Sequence, residues 1–221
     1  MTTTVKGFTL IELLIVIGIL AILATTVVLV LNPAQILQET RDTQRISDLS
    51  SVQSAIGLYL ATASSIDMDF TAVGTCGTNW WSSISATPLA SQPFANPAVA
   101  INSQTITAAN IRAVNGNGWV PMNLGLVSGG SPLAGLPQDP SSTGTGANGV
   151  LTGTGHFYAY QCANVGQTLG LTVGPAYEIN ANMESGKFSG GTTPGSSDVE
   201  GTDGGTVNTI YEVGNAPGLA L

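Results

Sequence analysis

A chain of 221 residues in which only 8% are Asp, Glu, Lys or Arg cannot cover itself with ion pairs as ordinary soluble domains do, where about 25% are charged. Its surface must instead be built from Ser, Thr, Asn and Gly, and Gly alone contributes 28 residues, about twice its usual share. The balance of 13 acidic to 5 basic residues, net charge -8, excludes the basic footprint that nucleic-acid binding needs. The composition suits an extracytoplasmic protein better than a cytosolic enzyme. The length accommodates one membrane segment and one globular domain, with no need for a second core.

Residues 1–7 form a short polar leader carrying one charge, Lys6. From Phe8 to Leu31 the chain is an apolar run in which the single charged residue is Glu12 and the other polar side chains are Thr9, Thr25 and Thr26. As a helix rising about 1.5 Å per residue this run reaches roughly 36 Å, enough to cross a hydrocarbon core about 30 Å thick. A secretory signal needs an apolar core of only about 7–15 residues, shorter than this one; a soluble product cut within Ala21–Thr26 is the weakest reading. A plain signal anchor fits the length, with Lys6 on the cytoplasmic side, but gives Glu12 no role. A carboxylate inside such a run costs on the order of 2.5–3.5 kcal/mol at the bilayer centre and less toward an end, so Glu12 calls for a reason.

The residues Lys6-Gly7-Phe8-Thr9-Leu10-Ile11-Glu12-Leu13, followed by an unbroken apolar helix, resemble the class III signal of type IV pilins and type II secretion pseudopilins. The resemblance implies that a membrane-embedded prepilin peptidase cuts between Gly7 and Phe8 and that the new amino terminus, on Phe8, is N-methylated. It implies further that Glu12 pairs with the terminal amine of a neighbouring subunit as copies leave the lipid bilayer for a filament, with the inner-membrane assembly machinery as a further partner. A buried carboxylate is tolerable where another buried charge meets it and costly where none does. Glu12 would then set the register of assembly; a tolerated interfacial Glu is the alternative.

After Leu31 comes Asn32-Pro33, and proline inside a helix removes a hydrogen bond and kinks the rod. Residues 32–63 read as an amphipathic helix continuing into the globular domain. Ile36, Leu37, Ile46, Leu49, Val52, Ile56 and Leu60 recur at three- and four-residue steps, as an apolar face requires. Arg41 and Arg45, among Glu39, Asp42 and Asp48, read as a solvated or subunit-facing stripe. Residues 64–118 show no sustained period: Pro88, Pro93 and Pro97 interrupt them, with one short helix expected near Ala108–Val114. A stretch that long without order is unusual in a compact domain, so partial order is expected, with Trp80-Trp81 as core or subunit-interface packing. Cys76 and Cys162, on the exported side of the membrane segment, read as one disulfide in an oxidising compartment, or else as two buried thiols.

Residues 119–185 read as the sheet region, opening near Trp119. The runs His156–Cys162 and Tyr177–Glu184 alternate and are rich in aromatic and branched residues, as half-buried strands are. A Leu136-Pro137-Gln138-Asp139-Pro140 turn, then Tyr158-Ala159-Tyr160, then Tyr177-Glu178-Ile179-Asn180-Ala181 ending in Glu184-Ser185 resembles pseudopilins a second time. The fold class expected is therefore α+β: a long N-terminal helix packed on a small antiparallel sheet. Residues 186–221 are a Gly/Ser/Thr-rich tail closing with Thr209–Val213, an edge strand or docking segment. The resemblance implies calcium near the C-terminus, where Asp198, Glu200 and Asp203 offer oxygen ligands; a solvated tail is the alternative.

No catalytic constellation emerges. His156 is the single histidine, leaving no second one for a triad or metal site. No phosphate-cradling glycine motif is followed by Lys-Ser or Lys-Thr, and Asp67 and Asp69 read as loop carboxylates without apolar surroundings. A signal-anchored extracytoplasmic binding domain that never polymerises remains the alternative from another class.

Overall fold

The computed structural model describes residues 7–70, 76, 79–84, 100–101, 107, 109–141, 144–145, 151–152, 156–166, 168–169, 172–189, 197–205 and 207–216. Residues 1–6, Pro88, Pro93, Pro97 and Ala108, where the sequence places the leader, the interrupted stretch and the start of a short helix, lie outside them. The chain forms two compact units, Met1–Gln38 and Glu39–Leu221. The fold is α+β and pilin-like: an apolar N-terminal helix continuing into a longer one, plus an antiparallel sheet.

Helix α1 spans Leu10–Leu31 and α2 spans Pro33–Thr62. Between them Asn32 adopts a left-handed conformation, φ 38°, which Asn tolerates better than most residues. Pro33 has no amide to continue the ladder and suits the first position of a new helix. The amides of Gln35 and Ile36 restart the bonding on the Asn32 carbonyl at 3.0 and 3.4 Å. Ile36 and Leu37, which spacing assigned to the apolar face, are 49% and 59% exposed. They belong to the first unit, ahead of any segment that covers the helix. The apolar stripe that is buried starts later, with Leu49, Val52, Ala55, Ile56 and Tyr59.

In the second unit the strands are β1 (Asn79–Ser82), β2 (Ala100–Ile101), β3 (Gly144–Thr145), β4 (Leu151–Thr152), β5 (Tyr158–Ala163), β6 (Thr168–Leu169), β7 (Thr172–Val173), β8 (Ala176–Ala181) and β9 (Tyr211–Gly214), with a one-turn helix α3 (Val199–Thr202) before the last. The main sheet has the order β2-β1-β5-β8-β9, all antiparallel except the short β1–β2 pair, and β3–β4 and β6–β7 are two-residue hairpins. β5 pairs with β8 along its full length, Tyr160 opposite Ile179 and Gln161 opposite Glu178. Alternation sends Tyr158, Tyr160 and Cys162 to the face that meets α2, where they join Leu49, Val52, Ile56, Tyr59, Trp81, Tyr177 and Ile179 in one core.

β5 and β8 are buried at all six of their positions, not on one face alone. Trp80 and Trp81 point to opposite sides of β1. Trp81 joins the main core, while Trp80 stacks on Phe157, centroids 6.1 Å apart, and closes the outer face with Ile84 and Ala159. Strand β1 thus comes from the stretch in which no period was visible. Conversely no strand is found between Trp119 and Pro140; Pro121, Pro132, Pro137 and Pro140 remove the donors a ladder would need. That segment is held by its side chains, with Trp119 Nε1 donating to the Pro137 carbonyl at 2.9 Å. Gly116 sits at φ 93° with the Phe70 ring against it, 2.3 Å from where a Cβ would lie, a place only glycine can fill.

Gln161, on the outer face of β5, is fully buried with neither its amide oxygen nor its nitrogen bonded. A buried amide without partners costs about 1–3 kcal/mol, and Met has similar length without the dipole. Gln161→Met is therefore expected to raise stability by about 1 kcal/mol, read as a higher denaturant midpoint at unchanged slope. An equal or lower midpoint would show that the amide is bonded in solution.

The reading of Arg45 as solvated is corrected by the structure. Arg45 and Asp42 are fully buried. The guanidinium donates to both Asp139 oxygens at 2.7 and 3.0 Å, to Ser141 Oγ at 2.9 Å, to Asp42 Oδ1 at 2.7 Å and to Glu184 Oε1. Asp42 in turn accepts the Glu184 and Ser185 amides at 2.9 and 2.7 Å, and Arg41 grips Glu184 from outside at 3.0–3.1 Å through Nε. Burial works against the charge on Arg45, but Asp139, Glu184 and Asp42 outweigh it and push the guanidinium above its ordinary value. Burial likewise raises Glu184, yet the hydrogen bonds from Arg41 and Arg45 hold it at about 2. Thus the Leu-Pro-Gln-Asp-Pro turn and the Glu-Ser end of β8 fasten to one side chain of α2.

Candidate functional site: the capped apolar helix

Residues 7–9, just ahead of α1, are not helical, and Thr9, extended at φ -82° and ψ 151°, is its N-cap. Thr9 Oγ1 accepts the Glu12 amide at 3.3 Å, and Glu12 Oε2 accepts the Thr9 amide at 2.9 Å and the Thr9 hydroxyl at 2.8 Å. This is a reciprocal capping box, the Thr-x-x-Glu arrangement that satisfies two amides a helix start leaves open. It also places the carboxylate where the helix dipole favours negative charge. The signal for it, Thr9-Leu10-Ile11-Glu12, stands in the sequence, but attention to the cost of Glu12 passed over it.

Phe8 is 85% exposed, and no atom lies within 4 Å of where a Cβ on Gly7 would be. Among the described residues no side chain covers the bond between them. Along α1 the large apolar side chains from Leu10 to Val28 are exposed, and Leu10–Val28 is long and apolar enough to cross a membrane. Thr25 and Thr26 return their hydroxyls to the carbonyls of Ala21 and Leu23, both at 2.8 Å. Their polarity is thereby met within the helix, as a lipid environment requires.

Residues 3–28 match the prokaryotic N-terminal methylation motif. The segment is a prepilin signal. No curated protein and no solved structure matches the chain. The signal supports a type IV pilin-like or pseudopilin precursor and implies processing by prepilin peptidase and pilin assembly in general. The apolar helix and the prepilin signal together fit a membrane-anchored precursor.

The other residues singled out by sequence lie far from the prepilin signal in the chain. Cys76 and Cys162 are joined by a disulfide, Cα atoms 5.0 Å apart, and both are buried in the main core. Asp198 caps α3 through the Gly201 amide at 3.1 Å, Glu200 accepts the Met183 amide at 2.9 Å, and Asp203 accepts those of Gly205 and Glu212 at 2.8 and 2.6 Å. Burial raises the Asp203 carboxyl, and its amide bonds partly offset that. Calcium takes about six to eight oxygens around one point. Among the described residues no group of three or more His, Cys, Asp or Glu is placed to hold a metal, so these three do not fit it. They fasten the tail to the sheet instead. Asp69, expected in open surroundings, is buried and accepts the Cys76 amide at 3.0 Å. His156 is half-buried just ahead of β5, its Nδ1 unbonded.

Proposed function

We propose that the protein is a structural subunit of a type IV pilus-like or type II secretion pseudopilus filament, not an enzyme. The prepilin peptidase cuts between Gly7 and Phe8, the Phe8 amine is methylated, and the α1 helices of successive copies pack together while the sheet unit is displayed on the extracytoplasmic side. The observation that carries this reading is the prepilin signal on a helix whose apolar side chains from Leu10 to Val28 lack cover. A run of that kind finds apolar company either in lipid or in other copies of itself. Glu12 belongs to the same argument, since a carboxylate in this position is useful when a second charge meets it and costly otherwise.

The intact mass and N-terminal sequence of protein recovered from membranes test the processing step. A start at Phe8, with or without a methyl group, supports the reading; a start at Met1 would sink it in favour of a static anchor. Glu12→Leu tests assembly. It is expected to abolish or sharply slow filament formation while the melting midpoint of the sheet unit stays unchanged, whereas a non-polymerising anchored domain would tolerate it. Deletion separates the two filament classes: loss of surface fibres points to a pilus, loss of secreted proteins alone to a pseudopilus.

A further inference from the structure

Strand β9 ends the main sheet: one side of it pairs with β8, and among the described residues no strand lies on the other. In an antiparallel ladder alternate residues aim their amide and carbonyl at the partner strand, and those between aim theirs away. An edge of that kind is a template on which another chain can add. Proteins commonly blunt it with lysine, but Lys187 is the last basic residue of this chain.

Two outward groups of β9 are met by side chains instead. The Glu212 amide donates to Asp203 Oδ2 at 2.6 Å. The Gly214 carbonyl, two residues on and so on the same side, accepts from Gln53 Nε2 of α2 at 3.3 Å. Asp203 is itself held, its Oδ1 taking the Gly205 amide at 2.8 Å, while Glu212 Oε2 takes the Val207 amide at 2.8 Å. Gly204 turns the chain there at φ 92°, and Gly205 lies so close to the Glu212 carboxylate that a Cβ would overlap it. The turn after α3 is thereby laced to the strand, each carboxylate bonded to backbone on the other side.

We propose that Asp203 is an edge lock: by occupying the Glu212 amide it keeps β9 from pairing with β9 of a second copy. The edge is self-complementary, because two antiparallel copies of one strand about a two-fold axis offer each other the same donors and acceptors. Tyr211 and Val213 are the aromatic and branched residues that strands favour. The only charge in β9 is Glu212, whose carboxylate is turned to Val207. In a filament, where copies are held close, an open edge would join sheet units out of step with the helices. The lock acts on any two copies that meet, in a filament or not.

The test uses the full chain in detergent with a spin label on Thr209→Cys, an exposed position; the native cysteines are joined to each other, which leaves the label one site. Dipolar coupling between copies and hydrogen exchange at the Glu212 amide are read together. Asp203→Ala is expected to speed that exchange at least about 10-fold. It should also add a distance between copies on the order of 20 Å, about six residues of antiparallel rise when Glu212 faces its counterpart. The parent should lack that distance. Asp203→Asn keeps one carbonyl oxygen for one of the two amides, so it should fold even where the Ala variant does not, and show the same distance in a smaller fraction of copies. Faster exchange or a lower melting midpoint without the new distance would give Asp203 a purely structural role and overturn the proposal. The same distance in the parent would overturn it too, since the edge would already be open. Adding Glu12→Leu should leave the distance in place; if it disappears, the distance came from packing of α1 and the proposal fails.

Discussion

Replacing Arg45 by Met should lower the stability of the sheet unit by about 3–5 kcal/mol, the cost of leaving buried charge without its partner. Three carboxylates converge on that guanidinium, Asp42 and Asp139 fully buried and Glu184 nearly so. Met matches the length of the stem and supplies none of the donors. Arg41→Met is the internal control: its side chain is 34% exposed, its pair with Glu184 is of the surface kind, and its loss should cost at most about 1 kcal/mol. Denaturant midpoints of the two variants decide the matter, and an Arg45 effect no larger than the Arg41 effect would refute the assignment. The cluster also sets an acid limit. Glu184 is held at about 2 against an ordinary 4.5, so its folded value lies below its unfolded one. Such a group contributes stability that is fully present above the unfolded value and is lost as pH falls through the folded one. Its contribution should therefore persist at neutral pH, begin to fade below about 4.5 and be gone below about 2; Glu184→Gln should flatten that part of the pH profile.

The second large effect belongs to the disulfide. Cys76 and Cys162 close a separation of 86 residues, for which the chain-entropy relation gives about 4–5 kcal/mol, an upper figure. Cys76→Ser with Cys162→Ser, and equally reduction of the parent protein, should lower the melting midpoint by a matching amount. The mechanism predicts that the two routes agree, because both free the same loop in the unfolded chain. The bond also carries a local duty. It fixes residue 76 beside β5, and Asp69 accepts the Cys76 amide from the other side. A variant stable to within about 1 kcal/mol of the parent would mean that the unfolded chain is already held compact by other contacts.

What the sequence disclosed follows from the range of the interactions concerned. The apolar run and Glu12 are local, so they could be read directly, and the prepilin signal is their sum. The Thr9–Glu12 box is just as local; it went unread because two polar residues in an apolar run invite thought about cost before geometry. Arg45 is different. Its partners Asp139 and Glu184 lie 94 and 139 positions away, and nothing in the helical period around Arg45 announces them. The turn and the Glu-Ser end were each visible as motifs, but that both close on one arginine is a fact of tertiary structure. β1 was invisible for a further reason. In the four residues Asn79–Ser82 both tryptophans are buried, one on each face, so the strand has no polar alternation to display. β8 departs from the half-buried strand its alternation predicts, since Glu178 and Asn180 are buried as well.

The interior takes up seven of the eighteen charged side chains of this protein. Asp42, Arg45, Asp69, Asp139, Glu178, Glu200 and Glu212 all lie beneath the surface. Dilution or brine screens charges held there far less than charges at the surface. If the unit is displayed beyond the cell, as the filament reading has it, these seven charges keep their pairings whatever the salt outside.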